Sequence, residues 1–394
     1  MQILRITRSF FPLKGGQENH ILNISQKQIQ HGVETTVITI PIDKKSISEE
    51  NYKGIRIIRS SIYFSYGFMT RFRLYFFIFG AIISAIKLKN QKNNFDLVIG
   101  HDYWSGIAGL LISKFIFKTA FIYFAHGIFQ NVLGKFGKFI EKIYLKYLPK
   151  DYLFCVNDGT AGDDFILKTL QYKKKFIFLP HGIDVDIFRS YQPVDRSKYR
   201  KKFNLPLEGY MILNTAKINK YKGSSFVAQG FLDFTTSYPN INSYLVFANE
   251  PYDAQKNEYQ KIIDMFKKHN KFDKLYFTGN IKHENVPYLL NAADVWVSMA
   301  SYSNAGNALL EAMACELPVI ASNTGSTGKM INHNVTGFLV EDINTDELKK
   351  ALLGIFNNKS SSKKIGQNAS RFVTENNNWE RRINLELKIY NELI

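Results

Sequence analysis

Residues 294–317 read DVWVSMASYSNAGNALLEAMACEL and carry the clearest indication of the fold. The pattern is typical of an apolar strand over 295–297, a turn of small residues over 303–307 and a helix that begins near Gly306. Because a helix N-terminus after such a turn presents unpaired backbone N–H groups, this stretch predicts an anion site. Glu311 lies one helical turn further on, where a carboxylate can bind the hydroxyls of a ribose. An ordinary turn followed by a solvated Glu311 explains the same residues equally well.

Length and composition indicate a globular protein of two domains. The chain has 394 residues, enough for two domains of roughly 150–200 residues each. Hydrophobic residues make up 45% of it, which argues for packed cores rather than disorder. Its two cysteines, Cys155 and Cys315, show neither disulfide nor metal spacing, as is usual in a reducing compartment.

No segment is predicted to cross a membrane. The longest apolar run, residues 74–86, is shorter than the roughly 18–20 residues that span a bilayer. The N-terminus, MQILRITRSF, reads directly as a strand and not as a signal peptide. We therefore expect a cytoplasmic protein, peripheral at the inner face of the cell membrane.

Basic residues are concentrated in one part of the chain. The net charge is +17, and residues 51–150 hold 15 Lys and Arg against 3 Asp and Glu. The same part contains the aromatic stretches IYFSYGFMTRFRLYFFIF and KFGKFIEKIYLKYL. Basic side chains interleaved with Phe, Tyr and Leu at helical spacing favour peripheral contact with an anionic membrane. A merely solvated face fits less well, and nucleic acid is the least favoured partner because no nucleic-acid motif is present.

Short apolar runs alternate with longer amphipathic ones along most of the chain. The strand patterns of the first half cover 2–7, 34–40, 55–60, 95–100, 119–125, 151–156 and 176–180. The helical patterns between them cover 18–31, 71–90, 137–148 and 158–170. The strand patterns of the second half cover 210–216, 244–248, 275–278, 294–298 and 318–322. Because the strands are apolar at successive positions, we predict parallel, doubly wound sheets that are covered on both faces.

A break in this alternation divides the chain. Residues 187–208 contain two prolines and a charged run, and we interpret them as a linker. The predicted fold class is α/β, with one Rossmann-like domain over 1–190 and a second over 191–375. A C-terminal helix over about 376–394 is expected to pack back on the first domain.

Polar residues follow several strands of the first domain, at the carboxyl ends where open α/β sheets bind ligands. Gly15 and Gly16 follow the first strand and precede a helix, so the backbone there can approach a ligand closely. His101 and Asp102 follow a later strand, and His126 follows the next one. A Gly-Gly pair also serves ordinary tight turns, and a single histidine at a strand end is as often a structural residue.

Two lysines follow the first strand of the second domain. Lys217 and Lys222 flank a loop that leads into a helix, so their ammonium groups could converge on a diphosphate. A solvated basic loop is the alternative in a lysine-rich chain. Asn280 follows another strand of the same sheet beside Gly279, where the edge of a nucleotide base could meet the backbone.

Taken together, these stretches resemble the retaining glycosyltransferases of the GT-B fold, in the group called glycosyltransferase family 4. In the first domain, FFPLKGGQENH resembles the glycine loop of the family, DLVIGHDYWSGIAG its acceptor-side strand end and HGID its domain junction. In the second, NTAKINKYKG resembles its phosphate loop, SYSNAGNALLEAMACELPVIAS its nucleotide-sugar signature and VTGFLV its closing hairpin. The resemblance implies two Rossmann-like doubly wound domains that face each other across a cleft.

The resemblance also implies a role for each matching residue. The implied donor-binding residues are Gly15, Gly16, Asn280, Ser303, Asn304, Ala305, Gly306, Asn307 and Glu311. The implied catalytic residues are His126, Lys217 and Lys222, and the implied acceptor-side residues are His101 and Asp102. The two lysines would neutralise the diphosphate leaving group, while Glu311 would bind ribose and His126 would lie near the reacting sugar.

The implied reaction moves a sugar from a nucleoside diphosphate, expected to be UDP, to a hydroxyl of a lipid-linked or membrane-bound glycan in surface polysaccharide biosynthesis. No cofactor or metal is implied, because fixed cations and helix N-termini can stabilise the negative charge that develops on the leaving oxygen. Asp184 and Asp186 match the Asp-x-Asp pattern by which other glycosyltransferases hold a metal. They lie in the junction stretch, so we interpret Asp184 as a turn residue and predict no metal site.

Some positions depart from the family pattern. Ser303 stands eight residues before Glu311, where the family has the first Glu of its signature, and Ala305 stands where Phe is common. Lys217 replaces the usual Arg, which keeps the charge but loses the bidentate fork. The missing Glu leaves a non-catalytic GT-B subunit, acting as a partner or regulator, as the main alternative. A GT-B phosphorylase or a sugar-phosphate synthase is a weaker one.

Overall fold

The structure is a computed structural model of the chain. It describes residues 1–13, 15–43, 45–60, 73–126, 135–156, 162–172, 175–191, 195–249, 256–301, 306–341 and 344–394. They form two compact units. Unit 1 comprises Met1–Val156, Gly162–Leu179 and Glu380–Ile394, and unit 2 comprises Pro180–Trp379.

Unit 1 is built on a sheet of eight strands. They are β1 (Gln2–Ile6), β2 (Glu34–Thr39), β3 (Glu49–Tyr52), β4 (Ile55–Arg59), β5 (Leu97–His101), β6 (Ala120–Ala125), β7 (Tyr152–Val156) and β8 (Phe176–Leu179). Their order in the sheet is β3-β4-β2-β1-β5-β6-β7-β8. Only the edge strand β3 is antiparallel to its neighbour, and the other pairs are parallel.

Unit 2 contains a sheet of six parallel strands. They are β9 (Tyr210–Asn214), β10 (Ser243–Phe247), β11 (Leu275–Phe277), β12 (Val295–Ser298), β13 (Val319–Ser322) and β14 (Phe338–Val340). Their order, β11-β10-β9-β12-β13-β14, is the 3-2-1-4-5-6 arrangement of dinucleotide-binding sheets.

Helices connect the strands in both units. The first part of the chain contributes α1 (Gly16–Ile29), α2 (Arg73–Asn90), α3 (Tyr103–Ile112), α4 (Lys135–Tyr147) and α5 (Gly162–Asp164). Unit 2 contains α6 (Arg196–Lys202), α7 (Ser224–Ser237), α8 (Lys256–Lys268), α9 (Val286–Ala292), α10 (Asn307–Ala314), α11 (Thr327–Met330), α12 (Thr345–Asn357) and α13 (Lys359–Asn376). The last helix, α14 (Trp379–Asn391), returns the chain to unit 1.

The strands are buried on both faces, as their continuous apolar patterns predict. In β12, Val295, Trp296 and Val297 are all buried, yet Trp296 packs in one cluster and its two neighbours pack in another. Successive side chains of a strand point to opposite faces, so each face of this sheet carries its own hydrophobic core. The predicted α/β class with two doubly wound sheets is therefore confirmed.

Two local predictions were wrong. The VTGFLV stretch does not close a hairpin, because Phe338–Val340 runs parallel to β13 as the sixth strand of unit 2. The linker predicted over 187–208 contains the helix α6, which packs on α9 and is anchored by Arg200. Arg200 donates to the carbonyls of Ala292 and Leu207 across 3.0 and 3.1 Å, so this segment is part of unit 2.

The strand orders fix where ligands can bind. In an open α/β sheet the order of connection reverses beside the first strand, and the loops after the two neighbouring strands diverge there. The reversal falls between β1 and β5 in unit 1 and between β9 and β12 in unit 2. The predicted functional residues follow these strands or their neighbours.

Candidate functional site

The loop after β9 in unit 2 requires a glycine at its end. Gly223 has φ 67° and ψ 29°, a left-handed conformation that side chains disfavour. A Cβ atom at this position would also overlap the carbonyl oxygen of Met299, which follows β12. Gly223 therefore allows the start of α7 to pack directly against the backbone of the neighbouring strand end.

The lysines of this loop are held by local hydrogen bonds. Residues Lys220–Lys222 form a 3₁₀ turn, and the side chain of Asn219 caps it by accepting from the backbone N–H of Lys222 at 2.8 Å. Lys217 is exposed and Lys222 is half-buried, and both belong to the loop at the carboxyl end of β9. This placement suits binding of a diphosphate by two cations.

The lysine loop and the loop after β12 are joined. The backbone N–H of Ser301 donates to the carbonyl of Tyr221 across 3.1 Å. Asn214, the last residue of β9, donates from Nδ2 to the carbonyl of Val297 across 2.7 Å. The two stretches that the sequence predicts to bind phosphate therefore meet at one switch point.

The helix after β12 begins as predicted, with a glycine at its N-cap that has no side chain to cap it. Gly306 occupies the N-cap in an extended conformation, and α10 starts at Asn307. The first-turn N–H groups of a helix point outward from this end and attract anions. The predicted donor-binding residues Ser303, Asn304 and Ala305 lie outside the described residues.

Glu311, the predicted ribose ligand, lies on α10 and is 8% exposed. Its Oε1 atom lies 3.1 Å from Nε2 of His283, a residue that the sequence analysis did not single out. The hydrogen bond to this carboxylate raises the pKa of His283 above its usual value of 6.5, although burial opposes the change. The ring of Phe188 lies 5.1 Å from the ring of His283, centroid to centroid.

Asn280 lies in the loop that leads from β11 to His283. Gly279 before it has φ 71°, and a 3₁₀ turn over His283–Asn285 follows. Asn280 is exposed. The loop that contains Asn280 therefore also leads to His283, whose hydrogen bond to Glu311 brings this loop to α10.

In unit 1, His101 and His126 follow β5 and β6 and form a pair. His101 Nδ1 lies 2.8 Å from His126 Nε2, and His101 Nε2 lies 3.1 Å from Arg5 Nη1. His101 is completely buried, whereas His126 is half-buried. The acceptor-side role of His101 stays a prediction, and its ring is connected to the surface through His126.

Asp102 is built into the start of α3. It has φ 71°, unusual for a residue with a side chain, and its carboxylate accepts from the backbone N–H groups of Trp104 and Ser105. Arg8 donates to the same carboxylate across 3.2 Å. The side chain of Asp102 is 14% exposed. Its carboxylate oxygens already accept hydrogen bonds that cap the helix, so few are left for the acceptor substrate that the sequence predicts here.

Gly15 and Gly16 begin α1 as predicted. Gly15 is an extended N-cap residue without a side-chain cap, and Gly16 is exposed with open space where a Cβ atom would stand. The carboxylate of Glu18 folds back over Gly15. The N-terminus of α1 is therefore open at Gly16 and covered by an acidic side chain at Gly15.

Other parts of unit 2 do not extend this site. A cavity of about 850 Å³ lies at the amino ends of the strands, lined by residues such as Tyr210 and Pro318, and none of the predicted site residues lines it. Its Asp294 is paired with Arg196 and Arg200. Within the described ranges, no group of three or more His, Cys, Asp and Glu side chains has the spacing to hold a metal ion.

Two family models divide the chain between them. The model described as "Glycosyltransferase Family 4" matches residues 14–187, and the model described as "Glycosyl transferases group 1" matches residues 195–372. Each match coincides with one predicted half of the chain. The matches give no support to the alternative of a non-catalytic subunit.

Similar proteins match the chain over nearly its whole length. The "Alpha-monoglucosyldiacylglycerol synthase" of Acholeplasma laidlawii is 24% identical over 94% of this chain and 92% of its own. The structure of sucrose-phosphate synthase from Thermosynechococcus elongatus aligns with a TM-score of 0.81 at 20% identity, over 100% of this chain and 98% of its own. HepE from Anabaena, solved "in complex with UDP and glucose", aligns with a TM-score of 0.78 at 15% identity over 100% of both chains.

These matches confirm the GT-B fold class. The family models extend the conclusion from fold to chemistry, since together they span nearly the whole chain in the expected order. The chain belongs to the group 1 and family 4 glycosyltransferases and is a transferase enzyme.

Proposed function

We propose that the protein is a retaining glycosyltransferase that moves a sugar from UDP to a hydroxyl of a lipid-linked or membrane-bound glycan in surface polysaccharide biosynthesis. The observation that carries this proposal is the meeting of the Lys217–Lys222 loop with the loop after β12 at the switch point of unit 2. Two cations and a helix N-terminus with a glycine at its N-cap, at one edge of the sheet, suit a diphosphate that leaves with its negative charge.

In this reaction the protein must above all stabilise the negative charge of the leaving diphosphate. When the bond between the sugar and the diphosphate breaks, negative charge develops on the leaving oxygen, and groups that bind this charge lower the barrier. Lys217 and Lys222 would supply that stabilisation, and Gly223 would hold their loop against the sheet. Glu311 would orient the nucleotide through its ribose hydroxyls.

Similar proteins support the choice of substrates. The bound UDP and glucose named for HepE support a UDP-sugar as donor. The name "Alpha-monoglucosyldiacylglycerol synthase" supports a lipid acceptor, because that relative covers almost the whole chain. A sugar phosphate is the second candidate acceptor, favoured by the similarity to sucrose-phosphate synthases.

An apolar stripe on α2 supports contact with a membrane surface. Tyr75, Phe79, Ile83 and Ile86 are exposed large hydrophobic residues with helical spacing, and Phe79 is 61% exposed. The last turn of α2 carries Lys87 and Lys89. Such a face can insert shallowly at the lipid headgroups while its lysines bind anionic lipid.

Helix α4 carries a second stripe of the same kind. Phe139, Ile143 and Tyr147 recur every four residues, and Phe139 and Tyr147 are 60% and 67% exposed. Lys142 and Lys146 lie between them and are exposed. None of the helices in the described part of the chain combines the length and hydropathy needed to cross a bilayer. A peripheral contact through these stripes fits all of these features.

The donor can be tested by thermal unfolding with a panel of nucleotide sugars. A ligand present at 100 times its Kd raises the unfolding free energy by about 2.7 kcal/mol, which moves the Tm by several degrees. We expect UDP-sugars to stabilise the protein and Glu311→Ala to remove that stabilisation. Equal stabilisation of both proteins, or a response to another nucleotide alone, would contradict the assignment.

The acceptor and the membrane contact need separate measurements. Transfer from the stabilising donor should occur to lipid acceptors in vesicles and not to fructose 6-phosphate in solution. Binding to vesicles that contain anionic lipid should weaken as salt is added and should be reduced in a Lys142→Glu, Lys146→Glu variant. A matched charge change on unit 2, Lys350→Glu with Lys364→Glu, should leave binding unchanged.

A further inference from the structure

A chain of buried polar side chains crosses unit 1 and ends at His126. Arg5 Nη1 lies 3.1 Å from His101 Nε2, and His101 Nδ1 lies 2.8 Å from His126 Nε2. Arg5 and His101 have no exposed surface. The two histidine rings thus connect a buried cation on β1 to the candidate catalytic residue at the end of β6.

The other side of Arg5 is held by α1 and α14. Arg5 Nη2 donates to Gln28 Oε1 across 2.7 Å, and Gln28 Nε2 donates to Glu386 Oε2 across 2.8 Å. The hydroxyl of Tyr390 donates to the same carboxylate oxygen across 2.8 Å. A carboxylate therefore lies two hydrogen bonds from the guanidinium, which makes the burial of Arg5 tolerable and fixes its orientation.

Arg5 determines the direction of the hydrogen bonds. A guanidinium has five N–H donors and no acceptor, and it stays protonated in proteins. His101 Nε2 must therefore accept, and a neutral imidazole ring then carries its proton on Nδ1. Burial, followed by the nearby His126 and Arg5, lowers the pKa of His101 well below its usual range, so this ring is neutral.

The same logic passes to the next ring. His101 Nδ1 carries a proton and faces His126 Nε2, so Nε2 of His126 must accept. We propose that Arg5 and His101 are positioning residues that hold His126 in the tautomer whose proton lies on Nδ1. His126 then donates from Nδ1 and cannot act as a base through Nε2.

The ring of His126 packs against other aromatic rings. The ring of His20 on α1 lies 5.1 Å from that of His126, and Phe124 stacks on His126 at 4.8 Å between centroids. The guanidinium of Arg382 on α14 lies 5.8 Å from the centroid of Phe124.

The use of this proton rests on the proposed function. In sugar transfer, His126 would donate a neutral hydrogen bond from Nδ1 to an oxygen of the donor substrate. Arg5 and His101 would then affect turnover without touching any substrate. The tautomer itself is a property of the protein without ligand, so it can be measured whether or not the protein transfers sugar.

The test is a long-range proton–nitrogen correlation spectrum of the full chain labelled with nitrogen-15 in histidine, recorded without ligand at about pH 8, where histidines are largely neutral. The signals of His126 are assigned with a His126→Gln variant. We expect a protonated Nδ1 and an unprotonated Nε2 for both His101 and His126. A protonated Nε2 on His126 in the unaltered protein would overturn the proposal.

Variants test whether Arg5 and His101 are the cause. The pair Arg5→Met with His101→Phe removes both partners of the hydrogen bond between these two residues. Gln28 Oε1 loses its donor in this pair, so urea unfolding of the variant is measured alongside the spectrum. His126 should then shift toward the Nε2–H tautomer that free histidine prefers, and Arg5→Lys should retain the original tautomer. The matched control is Arg56→Met, which removes an arginine of the same sheet that bonds to Glu49 and Asn93. This control should leave the tautomer of His126 unchanged. An unchanged tautomer in the double variant would also overturn the proposal.

A kinetic measurement separates this inference from the proposed function. With UDP-glucose as the probe, the double variant should lose about tenfold or more in kcat while KM changes by less than about threefold. If the unaltered protein shows the Nδ1–H tautomer but transfers no sugar, the proposed function fails and the positioning role stands. If it transfers sugar with His126 protonated on Nε2, the positioning role fails alone.

Discussion

His283 Nε2 lies 3.1 Å from Glu311 Oε1, so a histidine of the loop after β11 holds the carboxylate that we expect to bind ribose. The side chain of His283 is 69% exposed, whereas that of Glu311 is 11% exposed. The carboxylate is therefore the buried partner of this pair, and the histidine lies largely in solvent. Donor binding and the protonation of His283 should compete for the same carboxylate.

This competition predicts a pH dependence of nucleotide affinity. The hydrogen bond to Glu311 raises the pKa of His283, so protonated His283 holds Glu311 more tightly as the pH falls. UDP should bind more weakly at low pH, by no more than about fivefold, because exposed ion pairs contribute about 0.2–1 kcal/mol. Calorimetric titration between about pH 5.5 and 8 measures the effect. A His283→Gln variant should show a flatter profile, and an identical slope in that variant would contradict the model.

The same pair also predicts a pH dependence of stability, in the opposite direction: at low pH the pair stabilises the fold while it weakens nucleotide binding. Because the pKa of His283 is higher in the folded state than in the unfolded state, the pair stabilises unit 2 fully below about pH 6.5. That contribution disappears as the pH rises through the folded-state value. The difference in unfolding free energy between the unaltered protein and His283→Gln, measured in urea, should therefore shrink from acid to alkaline pH.

Gly223→Ala should unfold or distort the lysine loop. The substitution places a Cβ atom against the carbonyl of Met299 and forces a left-handed alanine, so we expect a loss of at least about 2 kcal/mol in the free energy of unfolding. Gly354→Ala on α12 is the matched control, because a Cβ atom there meets open space. It should stabilise the protein by about 0.5–1 kcal/mol, and chemical denaturation measures both.

Lys217→Ala and Lys222→Ala should reduce turnover far more than they reduce stability. Each removes one cation proposed to stabilise the leaving diphosphate, and loss of one such group typically costs about 100-fold to 1,000-fold in kcat. Lys220→Ala removes an exposed lysine of the same 3₁₀ turn and should retain activity. Equal losses in all three variants would indicate that the loop contributes only general positive charge.

Glu386→Gln should destabilise unit 1. The carboxylate accepts from Arg382 Nε across 2.6 Å, from Gln28 and from Tyr390, all in the interior. Its removal leaves buried guanidinium groups without a counter-charge, which typically costs about 3–5 kcal/mol. Glu392→Gln, at the exposed end of the chain, is the control and should change the unfolding free energy by less than about 0.5 kcal/mol.

The sheet strands were predictable from sequence because their burial leaves a local pattern. The predicted strands 95–100 and 119–125 contain runs of successive apolar residues, and the structure places β5 and β6 there. The edge strand β3, Glu49–Tyr52, has the polar sequence EENY and is only partly buried, so no such pattern marks it. It is a strand because its backbone pairs with β4, which its side-chain pattern does not predict.

The candidate site was predictable in part, for a different physical reason. Lys217, Lys222 and Glu311 have types and spacings that a local motif reveals. Arg5 and Glu386 do not, since their contacts join residues that are far apart in the chain and Arg5 lies inside an otherwise apolar strand. A buried arginine in a central strand is unusual, and that single anomaly was the one signal that sequence offered.

The return of α14 to the first unit has a consequence for how the protein is made. Glu386 and Tyr390 complete the hydrogen-bond chain that begins at Arg5, and they are translated about two hundred codons after the eighth strand. During that interval the first sheet lacks α14, so Gln28 has no carboxylate to bind and the sheet residues that pack against Ile389 and Tyr390 are uncovered. A gene cut after the eighth strand would therefore yield a fragment prone to aggregate, because the segment that contains α14 is needed to cover the first sheet.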